Sequence, residues 1–320
     1  MPTMAQGIDK ALANFSMSQE LPLPRNIPLE PAEFYHDFGY FRHPKTRQPV
    51  TELAPYQLKV WRSLHASKRV LVVKSHKVGL STSQMLADFQ LSILPSSNPL
   101  SSRGFDTLLI SQTKELAKEL LRNLRRMILK SDKYSAFLID KPTEIEEYGN
   151  ISYKAIMRDE QTKTSVIYIR NNEDETRPSR IIALGADNPG SIESWPNIHH
   201  VHMSDVVATI GDYSDSLNVA ITRLANTNGT IIIETIPDFN GSPLHMMFDN
   251  PGDFIPIKIT AEEGVAAKVI DPEFLESERQ RLGPLYPQLY GADFLQAGNA
   301  WYDTELFQYE EDNLWEVTTS

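Results

Sequence analysis

The stretch VLVVKSHKVGLSTSQMLADF, residues 70–89, sets an apolar run, a loop with two lysines and a glycine, and a Ser-Thr pair opening a helical pattern. Those residue types, in that order, suit a phosphate chain. Backbone N–H groups of a tight loop cradle phosphate oxygens, a helix N-terminus adds positive potential, and a lysine reaches the terminal phosphates. The usual spacing is G-x-x-x-x-G-K-[ST]. Laid on it, Lys74 takes the first glycine position, Gly79 the second, Leu80 the lysine position and Ser81 the Ser/Thr position. Leucine carries no charge. Lys74, at the end of the apolar run, can fold back toward the phosphates from the other side of the loop, and Lys77 offers a second cation. The expected nucleotide-binding loop is Lys74, Ser75, His76, Lys77, Val78, Gly79, Leu80, Ser81 and Thr82, with Ser81 as a candidate Mg²⁺ ligand. An ordinary strand-loop-helix shares this outline, because a glycine after a strand and a Ser-Thr helix start are common in α/β proteins.

Other polar residues stand at telling places. Gln57 lies 17 residues before Lys74, and a side-chain amide can donate to and accept from an adenine edge at once. NIHHVHMSDVVA, residues 197–208, is an apolar strand pattern ending in Asp205. A carboxylate at such a strand end can hold Mg²⁺ or orient a water as general base. Ser204 precedes Asp205, so one acid stands where a pair is usual. GTIIIETIPDFNGSPLHMMFD, residues 229–249, ends a strand in Glu234 and Thr235, placed to sense a terminal phosphate. His199, His200 and His202 hint at a metal cluster, but no partner ligand is spaced to complete one, which favours satisfied or exposed histidines.

These residues need a scaffold. The 320-residue chain is 41% hydrophobic, enough for a large core. It has no cysteine, which excludes disulfides and thiolate chemistry. It shows neither a secretory leader pattern nor a run of about 20 apolar residues, so no membrane role is expected. The formal charge is -11, against nucleic acid wrapping the whole surface but not against a local basic patch, for which residues 119–133 are the best segment. Residues 1–50 read as a Pro-rich, irregular arm. From residue 51 strands and helices alternate: helix 55–67, strand 69–74, helix 81–94, strand 107–111, helix 114–129, and strands at 164–170, 179–186, 198–205 and 229–236. β-branched runs of this kind suit a mostly parallel sheet buried on both faces, in a three-layer α/β domain. Residues 51–256 are the expected core, and 257–320 a small helical subdomain with an acidic tail.

Taken together, KSHKVGLST, HVHMSDVVA, IIIETIPDFNGSPLHMMFD and YGADFLQAGNAWYDTELF resemble segments of the ATPase domain of the large terminase subunit of tailed viruses, over roughly residues 51–307. The loop is similar to a deviant form, K-S-x-R-V-G-x-S, whose lysine heads the loop. By that resemblance Lys74 is the phosphate lysine and Lys77 replaces the loop arginine. Asp205 falls at the catalytic glutamate, Ser204 at the Mg²⁺-binding aspartate, and Glu234-Thr235 in the coupling segment. The resemblance implies a RecA-like P-loop fold with a helical lid, binding of ATP and Mg²⁺ (the metal at Ser81 and Asp205), and hydrolysis coupled to movement of double-stranded DNA into a capsid. It implies a ring on a portal protein, a small terminase subunit as partner, and work in the cytoplasm of an infected cell. Arg122, Arg125, Arg126 and Arg158 are candidates for an arginine acting in a neighbouring subunit. A nuclease domain, which such proteins carry after the ATPase, is not expected in this chain: it would belong to a longer form of the protein, stand on a separate chain, or be missing from this homologue. Leu80 and Ser204 leave open a degenerate domain that only docks. A helicase or transposition ATPase is a further alternative on the same fold.

Overall fold

The β-branched runs pair side by side, as strands buried on both faces do. The computed structural model describes residues 26–39, 41–42, 49–94, 104–138, 165–170, 178–206 and 214–296. Its main sheet has seven strands: β1 (Arg69–Lys74), β2 (Asp106–Ser111), β3 (Val166–Ile169), β4 (Ser179–Gly185), β5 (His200–Ser204), β6 (Thr230–Thr235) and β7 (Ile255–Ile259). Their spatial order is β3-β4-β2-β5-β6-β1-β7. β3 runs antiparallel to β4 at one edge, and every other pair is parallel. β6 therefore lies between β1, which feeds the lysine loop, and β5, which ends at Asp205.

Helices cover both faces: α1 (Pro31–Phe38), α2 (Pro55–Ala66), α3 (Leu80–Ile93), α4 (Lys114–Leu129), α5 (Pro189–Glu193), α6 (Ser214–Arg223), α7 (Pro243–Asp249), α8 (Ala261–Ala266), α9 (Pro272–Leu282) and α10 (Tyr286–Leu289). Val70 and Val72 pack with Trp61 of α2, Phe89 of α3 and Leu121 of α4. Leu71, between them in sequence, packs with Ile192 of α5, Ala220 of α6 and Leu244 of α7 on the other side. Successive residues of one strand thus serve two cores. The result is the expected three-layer α/β domain with a mostly parallel sheet and a separate C-terminal helical segment. Each buried Val, Leu or Ile contributes about 1.5–3 kcal/mol relative to exposure.

Helix starts follow local chemistry. Pro55 opens α2 at a position where a missing N–H costs nothing. Thr113 caps α4 by accepting from Leu116 N–H. Part of the Pro-rich stretch departs from the irregular arm expected of it. α1 buries Phe34 among Trp61, Phe89 and Tyr134, with the Phe34 and Tyr134 ring centroids 5.1 Å apart. β7 straddles the expected core boundary at 256, so the sheet runs further than the pattern suggested. Most of the closing segment and the acidic tail, residues 297–320, lie outside the described residues.

Candidate functional site at the C-terminal ends of the strands

In open α/β sheets, ligand sites form at the carboxyl ends of the strands. β1, β5 and β6 end there in Lys74, Ser204 and Thr235, and Asp205 follows Ser204. The loop after β1 turns through Lys77 (φ 63°) and Gly79 (φ 66°). Both stand in the left-handed region, where glycine is at ease and lysine is strained. A Cβ at Gly79 would sit 3.2 Å from the Gln57 amide nitrogen, a tight approach that adds to the demand of the positive φ. Gly79 is the N-cap of α3, which starts without a side-chain cap, leaving its first N–H groups to another acceptor.

Each predicted loop residue has a definite place. Ser75 N–H donates to Ile259 O at 2.8 Å, and His76 N–H donates to Leu289 O at 2.8 Å, so the first half of the loop is fastened to β7 and to the C-terminal helices. Lys77 and Thr82 are exposed, and Ser81 is half-buried. Val78 is buried, and Leu80 is only 1% exposed, part of the apolar cluster under α3. The position usually held by lysine is here a core position. Gln57 is buried, and its amide is engaged inside the protein. Its nitrogen donates to Val78 O and Gly79 O at 3.2 and 3.0 Å, and its oxygen accepts from Ala54 N–H at 3.0 Å. It shapes the loop and begins α2.

Lys74 is 6% exposed and forms an ion pair with Asp205, Nζ to Oδ1 2.9 Å. Burial pushes its pKa down, but the Glu234 and Asp205 carboxylates more than offset this and hold it above the usual lysine value. Asp205 has φ 52°, a strained conformation that turns its half-exposed carboxylate toward the loop lysine. Its N–H donates to Glu234 O at 2.8 Å, which pins it to β6. The structure therefore brings Lys74 and Asp205 together, as their sequence positions suggested.

Glu234 is fully buried one strand away. Its Oε1 accepts from Ser204 Oγ at 2.8 Å and meets His202 Nε2 at 3.2 Å. His202 Nδ1 reaches Asp88 of α3 at 2.7 Å, Asp88 also meets His200 Nε2 at 3.1 Å, and His200 Nδ1 meets Thr230 Oγ1 at 2.7 Å. Burial alone would raise Glu234, yet Lys74 and His202 bring it down to about 2. Burial would likewise lower His202, yet Asp88 and Glu234 raise it to about 10. Burial opposes ionisation of Asp88 too, but His202 and His200 hold it at about 2. The set is a buried charge relay: carboxylate, imidazolium, carboxylate. Asp88 and the role of His202 escaped the sequence reading. The overlooked signal was Ser81, Gln84 and Asp88 at i, i+3 and i+7 of a buried helix, opposite His200, His202 and Ser204 at period two on a buried strand.

The histidines are not a metal cluster. His200 and His202 belong to the relay, and the His199 ring stacks on Phe105, centroids 5.2 Å apart. Among the described residues no group of three or more His, Cys, Asp or Glu side chains is arranged to hold a metal. Ser81, Asp205 and Glu234 present oxygen donors near the loop, a donor set that suits Mg²⁺ held chiefly by substrate phosphates. Thr235 is buried, its hydroxyl donating to Ile236 O at 3.2 Å. Beyond it, Gln288 of α10 donates to Pro237 O and Asp238 O at 2.9 and 3.2 Å. On α4, Arg122 pairs with Glu119 at 2.7 Å and Lys118 with Glu115 at 2.8 Å, so part of its positive charge is compensated on the same helix. Arg158 lies outside the described residues.

No protein-family model matches the chain, and no curated protein does. Solved structures do. The large terminase of bacteriophage HK97 superposes with TM-score 0.61 at 10% identity, covering 83% of this chain and 55% of that one. The large terminase ATPase domain of Thermus phage P74-26 gives 0.56 at 14% identity, covering 84% of this chain and all of that domain. The fold is similar to that of these terminase domains. The large terminase of another thermophilic bacteriophage, in its complex with ADP, gives 0.54 at 12% identity, covering 76% of this chain and 54% of that one. This chain therefore spans about half the length of the HK97 terminase and of the ADP-bound terminase. At these identities the likeness concerns the fold, a RecA-like P-loop architecture with a helical lid. No helix among the described residues is long and apolar enough to cross a membrane.

Proposed function

We propose that this chain binds ATP with Mg²⁺ and hydrolyses it as the ATPase domain of a viral DNA-packaging motor. The observation that carries the reading is the buried Lys74 at the head of the loop, paired with Asp205 across the carboxyl ends of parallel strands. A lysine held charged in a buried place suits a polyphosphate better than it suits structure alone. Lys74 binds the terminal phosphates, the loop 74–82 and the N-terminus of α3 take the rest, and Ser81 and Asp205 hold Mg²⁺. The metal, when bound, neutralises phosphate charge. On this reading nucleotide exchanges for Asp205 as the partner of Lys74, which frees the Asp205 carboxylate to orient the attacking water. Glu234 and Thr235 lead into the loop that Gln288 ties to α10, a short route from phosphate to lid.

The same reading makes double-stranded DNA the moved substrate, in a ring seated on a portal protein with a small terminase subunit, in the cytoplasm of an infected cell. An arginine of a neighbouring subunit completes the site. A second reading, a degenerate P-loop domain that docks without turnover, is favoured by Leu80 in the core and by the full engagement of the Gln57 amide.

Phosphate release and nucleotide binding by the purified chain, with and without DNA, separate the two. Turnover that Lys74→Ala abolishes, together with weakened ATP binding, and that Lys77→Ala affects less, is the expected outcome. Normal turnover in Lys74→Ala removes Lys74 from the site. Absence of both binding and turnover in the unaltered chain favours the docking reading.

A further inference from the structure

At the end of β5, Ser204 stands where the resemblance places a Mg²⁺-binding aspartate, which leaves Asp205 as the one acid of the expected pair. The neighbouring strand supplies another. Ser204 and Glu234 are partners in register across β5 and β6, and on its other side Glu234 is in register with Val72 of β1. The carboxylate thus lies between the lysine strand and the acid strand. It is fully buried, and its two oxygens differ. Oε1 takes Ser204 Oγ at 2.8 Å and His202 Nε2 at 3.2 Å. Oε2 closes no hydrogen bond of normal geometry. A buried carboxylate oxygen that closes no hydrogen bond of normal geometry is costly, by about 1–3 kcal/mol where nothing compensates it, so its surroundings require an explanation. Two neighbours point to one. The Lys74 ammonium lowers the pKa of the Glu234 carboxylate by its charge, and the Ser81 hydroxyl, the candidate metal ligand at the start of α3, lowers it as a weak hydrogen-bond donor, so the free side of the carboxylate faces the lysine loop.

We propose that Glu234 replaces the acid missing from β5, with Ser204 and His202 holding one oxygen so that the other serves the Mg²⁺ shell beside Ser81. The hydroxyl and the carboxylate have in effect exchanged strands. Asp88 then acts as a positioning residue: it fixes His202 from α3, the same helix that carries Ser81. This inference rests on the nucleotide-binding reading above and assigns Glu234 a task besides coupling.

The test measures binding, not turnover. Affinity for a fluorescent ATP analogue is determined in EDTA and in Mg²⁺, and affinity for Mn²⁺ in the presence of ADP by electron paramagnetic resonance. Glu234→Gln keeps the shape and removes the charge. It is expected to lose about 10–100-fold in Mn²⁺ affinity, the usual scale for groups around a metal site, with its nucleotide affinity in EDTA measured alongside as the metal-free reference. Unchanged Mn²⁺ affinity in a folded Glu234→Gln overturns the proposal. If that variant does not fold, the exchange Ser204→Asp with Glu234→Ser decides. Retention of metal-enhanced binding supports a carboxylate shared between the two strands, and its loss in a folded exchange variant overturns the proposal. Failure of the parent reading looks different, because the unaltered chain then binds no nucleotide in either buffer.

Discussion

Asp88→Asn tests the relay at its root. Asp88 accepts from two rings: His202 Nδ1 at 2.7 Å and His200 Nε2 at 3.1 Å, all three side chains being shut off from solvent. Asparagine has nearly the same shape, but its NH₂ cannot accept from a ring N–H. One contact becomes donor against donor, and the imidazolium loses a counter-charge. Removing one partner of a buried charged set costs about 3–5 kcal/mol. At about 2–4 °C per kcal/mol for a domain of this size, Tm should fall by about 6–20 °C. Thermal unfolding followed by circular dichroism is the assay. The pH profile adds a signed check. His202 has its pKa raised in the folded state to about 10, so its stabilisation is complete below the unfolded value of about 6.5 and is lost as pH rises through 10. Asp88 and Glu234 are lowered to about 2, so theirs is present above about 4 and is lost as pH falls through 2. The unaltered chain should therefore lose Tm from neutral pH toward 10, and lose it again below 4. A Tm for Asp88→Asn within about 2 °C of the parent's at pH 7 would mean that no charge is buried there.

Asp205→Asn should retain ATP binding and lose turnover by about 10²–10⁴-fold, as for a positioned acid-base group; unchanged phosphate release would move the role elsewhere, and loss of binding in a folded variant would make Asp205 a binding group. Leu80→Lys, which writes the usual lysine back into the loop, should not raise turnover: Leu80 is 1% exposed in the core, and an unpaired buried ammonium should cost several kcal/mol in chemical denaturation. A stable Leu80→Lys with faster turnover would show that the loop can reorganise around the usual position.

The fold was legible because its signals are strong and local. RVLVVK at β1 and TIIIET at β6 are β-branched runs that fit a doubly covered strand, while the helix after the loop is buried on nearly every side. The edge strand β3 reads like the others, yet it pairs antiparallel, because direction is decided by the connection and not by composition. α1 was hidden by prolines, although Pro31 merely sits in the first helical turn, where it is tolerated. At the site, Lys74 and Asp205 were legible from position, each at the end of an apolar run. Glu234 was legible as a strand-tip residue, but not as a clamped carboxylate. That depends on register between β5 and β6 and on the face of α3 that meets them, which are long-range quantities no local pattern contains.

The geometry also explains how a loop without the usual lysine can remain ordered. Its backbone is held from three sides. Gln57 of α2 takes the carbonyls of Val78 and Gly79, β7 takes Ser75 N–H through Ile259 O, and α10 takes His76 N–H through Leu289 O. The next residue back, Gln288, grips the carbonyls that follow β6. Adjacent residues of one short helix thus hold the loop after β1 and the loop after β6. A shift of either strand tip must strain α10 or carry it along, since each bond is lost within a fraction of an ångström beyond its normal length. Lys74 ends β1, Glu234 stands beside the end of β6, and α10 spans the two following loops from outside. The ends of β1 and β6 and the C-terminal helices are therefore joined through contacts between neighbours.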